Sequence, residues 1–83
     1  MNFDEIEKRV AKSFENVIGV KAENITLKQR LNEDLGLDSF SSLELFFELE
    51  DVLGIKISDT EAKKMAIVRD VVTYIHNAFL ARK

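Results

Sequence analysis

The chain has 83 residues, 46% of them hydrophobic and 33% charged, with three glycines, no proline and no cysteine. That length is read as one domain, residues 1–83, with a thin core, and the composition excludes a disordered chain. Without cysteine, the chain's own side chains offer no disulfide, no thiolate nucleophile and no zinc-thiolate centre.

Residues 3–18 read as an amphipathic helix, because Phe3, Ile6, Val10, Phe14, Val17 and Ile18 recur at spacings of three and four. Asn2 and Glu5 match a capping box at its start, and Gly19 is a stop signal. Residues 20–38 lack a helical period. Ile25, Leu27, Leu31, Leu35 and Leu37 are spaced there as anchors that pin a long loop to the core. A second helix is predicted over residues 39–53. On a wheel of ~100° per residue, Leu45, Phe46, Leu49, Val52 and Leu53 form a core-facing stripe. Gly54 ends that helix, and Ile55-Lys56-Ile57 reads as a short extended segment. Ser58 and Glu61 match a capping box that opens a short third helix over about residues 59–65. The fourth helix is predicted over residues 68–81, with Val68, Val71, Val72, Ile75 and Phe79 inward. Its start at Ala66-Ile67 carries no recognisable cap and is expected to be soft. These elements predict an all-α fold, a small four-helix bundle with a long first loop and a short third helix.

The second helix has more apolar surface than such a bundle needs. Phe40, Leu43 and Phe47 form a second stripe away from the first, with Glu50 on one side and Glu44 and Asp51 on the other. Two readings apply: the long loop covers the stripe, or the stripe is a docking patch with an apolar centre and an acidic rim. Both are compatible if Phe40 is partly covered while Leu43 and Phe47 are partly exposed. Charge supports docking. Residues 33–51 carry a charge of −7 and the remainder +4, giving −3 in all. Such a field repels nucleic acid and suits a basic protein partner.

The second helix begins in the string Asp34-Leu35-Gly36-Leu37-Asp38-Ser39-Phe40-Ser41-Ser42-Leu43-Glu44-Leu45. Serine or aspartate at a helix start is by itself an ordinary cap. A serine-hydrolase reading fails, because Ser39 lacks the flanking glycines of a nucleophile elbow and the only histidine, His76, is expected on the surface of the fourth helix. An EF-hand reading fails because the acids do not alternate around a central glycine.

The whole string resembles the prosthetic-group site of acyl carrier proteins. The resemblance extends over nearly the whole chain, through the first helix, the anchored loop, Ile55-Lys56-Ile57 and Val71-Val72-Thr73-Tyr74-Ile75. It implies a non-enzymatic carrier with 4'-phosphopantetheine attached covalently to Ser39 and acyl groups held as thioesters on that arm. Asp38 would position the site in the phosphopantetheinyl transferase, which must supply the base and metal. The implied partners are that transferase (holo-ACP synthase) and acyl-transferring and acyl-modifying enzymes with basic patches. They would dock on Phe40, Leu43, Glu44, Phe47, Glu48 and Asp51. Residues matching the family's acyl cavity are Phe46, Leu49, Ala62, Met65 and Val71. No metal site, no nucleic acid and no membrane span are expected, and the protein is expected to be a cytoplasmic monomer of fatty-acid or lipid biosynthesis. Phe40, Phe46, Phe47 and Lys63-Lys64 depart from the fatty-acid carriers. They point toward a specialised carrier of polyketide, aminoacyl (including D-alanyl) or lipid-modification chemistry. An interaction module that lacks the cofactor is the reading from a different class.

Overall fold

A computed structural model describes residues 2–81. The fold is all-helical: α1 Phe3–Ile18, α2 Ser39–Leu53, α3 Asp59–Lys64 and α4 Val68–Ala81. α1 packs against both α2 and α4, within an envelope of 34 × 26 × 20 Å. Among the described residues, the sheet-like pairing is a single antiparallel bridge between Arg30 and Ile67.

α1 forms as its pattern dictates. The Asn2 side chain accepts the Glu5 N–H at 2.8 Å, and the Glu5 carboxylate accepts the Asn2 N–H at 3.3 Å, completing the capping box. Ile6, Val10 and Phe14 are fully buried, with Phe3, Val17 and Ile18 half-buried at the ends.

The long loop contains one 3-10 turn, Ala22–Asn24. Ile25, Leu31, Leu35 and Leu37 are buried and Leu27 is half-buried, so the anchors do pin the loop. Backbone bonds tie it to the start of α4: Leu31 N–H to the Ala66 carbonyl, Val68 N–H to Gln29 and Arg69 N–H to Leu27, each 3.0 Å. The expectation of a soft α4 start is therefore wrong. The Asp70 carboxylate also accepts the Ala66 N–H at 2.8 Å and the Ile67 N–H at 3.1 Å. The cap comes from a residue inside the helix that reaches back, so nothing before the helix signals it.

In α2, the core face is narrower than the five-residue stripe expected. Leu45, Leu49 and Leu53 are buried and span only ~80° of the wheel. Phe46 on one flank is half-buried, and Val52 on the other is 48% exposed, against expectation. Each lies ~60° from the centre of the face, where the helix turns away from its neighbours.

α3 ends at Lys64, one residue before its expected limit. The Ser58 hydroxyl accepts the Glu61 N–H at 3.2 Å, but the Glu61 carboxylate faces Lys64 at 3.7 Å and does not return the bond. In α4, Val68, Val71, Val72 and Ile75 are buried and Phe79 is half-buried. His76 is half-buried as well, edge-on to Phe3 with ring centroids 5.7 Å apart, and is not the surface residue expected.

Candidate functional site

The chain enters α2 through a closed turn. Gly36 sits at φ 70, a left-handed conformation that L side chains rarely adopt. Its N–H bonds to the Asn32 carbonyl at 3.1 Å, and the Leu37 N–H bonds to the Leu31 carbonyl at 2.9 Å. Asp34 stabilises the turn by accepting the Arg30 N–H at 2.8 Å, and this bond above all holds its carboxyl below the usual aspartate value. Buried Leu35 and Leu37 fix the exit, which delivers Asp38 and Ser39 to the surface.

Asp38 is the N-cap of α2 and accepts the Ser41 N–H at 2.8 Å. That bond, followed by one from the Ser41 hydroxyl, depresses its pKa. Ser41 is therefore occupied in capping and is half-buried, whereas Ser39 is exposed as the first residue of the helix. Helix starts present N–H groups without intrahelical partners, and the dipole there favours an anion.

Ser39 and Asp38 also line a cleft of about 640 Å³ between α2 and α3. Its apolar lining includes Leu31, Leu37, Leu43, Phe46, Phe47, Ile57, Ala62 and Met65. Of the five residues expected around an acyl chain, Phe46, Ala62 and Met65 line this cleft. Leu49 and Val71 do not: both are fully buried in the core. An exposed hydroxyl at a helix start beside an apolar cleft fits a phosphodiester-linked arm with acyl cargo.

The second apolar stripe of α2 is open. Phe40 is 70% exposed, Phe47 65% and Leu43 52%. The expectation that the loop partly covers Phe40 is wrong, because the loop's apolar side chains all turn inward to the core. Glu44 and Asp51 are exposed beside the stripe. Glu48 and Glu50 are more engaged than the sequence indicates. Glu48 accepts the Asn16 side-chain N–H of α1 at 2.8 Å, and Glu50 accepts the Ile57 backbone N–H at 2.7 Å. Neither contact has a local sequence signature, since the partners lie on other segments.

The chain matches the family described as "Phosphopantetheine attachment site" over residues 8–75. It is 48% identical over 60 residues to an acyl carrier protein of Phytoplasma australiense, covering 72% of this chain and 79% of that one. An acyl carrier protein of Rickettsia bellii (strain RML369-C) is 43% identical over 72 residues, covering 87% of this chain and 84% of that one. Among solved structures, the acyl carrier protein from Enterococcus faecalis superposes with a TM-score of 0.76 at 36% identity, covering 94% of this chain and 99% of that one. With a phosphopantetheine-attachment match across most of its length, and relatives and a structural neighbour that agree with it, the chain belongs to the acyl carrier protein family, non-enzymatic carriers whose prosthetic group is 4'-phosphopantetheine.

Proposed function

We propose that residues 1–83 form one carrier domain whose prosthetic group is attached to Ser39. The observation that carries this reading is the position of Ser39: exposed, first in α2, preceded by the capping Asp38 and bordering an apolar cleft. The group supplies a terminal thiol on which acyl cargo is held as a thioester. Ser39 accepts the phosphodiester, and the start of α2 favours its negative charge. Asp38 fixes the local backbone that the transferase must recognise. Phe46, Ala62 and Met65 offer apolar shelter to the cargo.

The exposed face of Phe40, Leu43 and Phe47, with Glu44 and Asp51 at its rim, is the docking surface for the phosphopantetheinyl transferase and for acyl-handling enzymes with basic patches. Glu48 contributes charge from its tether to Asn16. The protein works as a monomer in the cytoplasm, in fatty-acid or lipid assembly. A specialised carrier of shorter cargo is the second reading, favoured by the bulk of Phe46 in the cleft wall.

The test is intact-mass measurement after incubation with coenzyme A and a phosphopantetheinyl transferase. A gain of one phosphopantetheine per chain is expected. No gain under conditions that load a control carrier would leave an interaction module as the function.

A further inference from the structure

α3 is weakly anchored for an element that forms one wall of the cleft. Its six residues include none that is buried. It stands between two hollows. The cleft of about 640 Å³ lies on one side, and a smaller hollow of about 270 Å³, lined by Glu61, Lys64, Thr73 and Tyr74, lies toward α4. Met65 borders both. A helix this short does not hold itself in water. Its position comes from Ala62 and Met65, which pack against the core, from the bonds of Ala66 just beyond it, and from the segment that leads into it.

That segment, residues 55–58, is held in two ways. Ile55 and Ile57 are buried. Two flanking helices also grip adjacent backbone groups: the Glu50 carboxylate of α2 accepts the Ile57 N–H at 2.7 Å, and the Tyr74 hydroxyl of α4 donates to the Lys56 carbonyl at 3.2 Å. Neither bond caps a helix. Each satisfies a loop backbone group that regular secondary structure leaves unpaired.

We propose that Glu50 and Tyr74 act as a clamp that fixes the position of the α3 wall and thereby limits the chain length the cleft accepts. The proposal rests on the reading that the cleft shelters the cargo of Ser39. With the clamp closed, α3 stays against the cleft. With it released, α3 shifts into the hollow beside α4 and the cleft lengthens. Tyr74 is a positioning residue that acts on the cargo through α3; Glu50 does the same through Ile57 and also lines the cleft itself.

Tyr74→Phe is the decisive variant. Tyr74 lines the second hollow and not the cleft, so loss of its hydroxyl leaves the cleft lining intact. Hydrogen exchange on the unloaded protein should show faster exchange across α3 in Tyr74→Phe, with α1 unchanged. Thermal unfolding of protein loaded with an acyl series should show Tm rising with chain length to a plateau. In Tyr74→Phe, which leaves the cleft lining untouched, the plateau should move to longer chains; Glu50→Ala should move it as well, with the lining altered at the same time. Glu50→Gln, whose amide oxygen still accepts the Ile57 N–H, should keep it. Unchanged α3 exchange, or one equal drop in Tm for unloaded and loaded forms with the plateau fixed, would overturn the clamp. If no variant loads, the carrier reading fails instead, and the exchange measurement alone decides the clamp.

Discussion

Asp38 stands between the turn and the helix, and its carboxylate is held by the Ser41 N–H at 2.8 Å. That bond, with the Ser41 hydroxyl second, lowers its pKa. Glu15 is lowered chiefly by the Ala22 N–H and then by Lys12, and Asp34 chiefly by the Arg30 N–H. A carboxyl depressed in the folded state stabilises the fold above its unfolded pKa, and that contribution is lost as pH falls through the folded value. Stability should therefore hold at neutral pH and decline below about pH 4, the ordinary carboxylate range. Asp38→Asn keeps a capping oxygen but cannot titrate. We expect it to leave Tm near neutrality almost unchanged and to flatten the acid limb, as followed by circular dichroism across pH. An acid limb identical to that of the unmodified protein would show that the cap bond does not govern the Asp38 titration.

At the scale of the element, α2 serves the core with one face and the surface with the other. Leu49→Ala removes a fully buried side chain and should cost about 2–5 kcal/mol. Phe47→Ala, at a largely exposed position, should change stability by no more than about 0.5 kcal/mol. Charge reversal at Glu44 should raise the KM of the transferase at low salt and weaken its salt dependence, since exposed charges act mainly on encounter. Unchanged kinetics at low salt would place the docking face elsewhere. The two faces were legible because helical period separates Leu45 and Leu49 from Leu43 and Phe47 by angle alone. The periods of α1 and α4 and the Asn2 box were legible for the same local reason. What the sequence did not disclose was long-range: where the loop would lie relative to Phe40, the tether from Asn16 to Glu48, and the bonds from Leu27, Gln29 and Leu31 that steady the start of α4. The reach of Asp70 back to Ala66 and Ile67 was hidden differently, as an ordinary acid in the first turn of a helix. The cleft was legible only in part: Phe46, Ala62 and Met65 line it, whereas Leu49 and Val71 are fully buried in the core, and which inward residues border an opening depends on tertiary packing.

For the whole molecule, charge and cavity run along α2 from its start at Ser39. Arg30 reaches Glu33 at 2.9 Å and Asp34 at 3.5 Å, which softens the negative field at the turn and leaves Glu44 and Asp51 as exposed acids on α2. Phe46 is half-buried in the cleft wall, and packed interiors have little spare volume to yield to a long chain. Loaded protein should gain stability with acyl length up to a short or medium chain and then stop gaining. Phe46→Val should move that plateau to longer chains while costing the unloaded protein about 1–3 kcal/mol. A Tm that climbs steadily to long chains in the unmutated protein would show that Phe46 is no barrier. On the proposed function, the molecule's chemistry hangs from Ser39 alone. The direct measurement is intact mass, with peptide mapping, of the unmutated chain and of Ser39→Ala, Ser41→Ala and Ser42→Ala after transferase and coenzyme A. One phosphopantetheine is expected on the unmutated chain, on Ser41→Ala and on Ser42→Ala, and none on Ser39→Ala, whose helical circular dichroism survives. Modification retained in folded Ser39→Ala would contradict it.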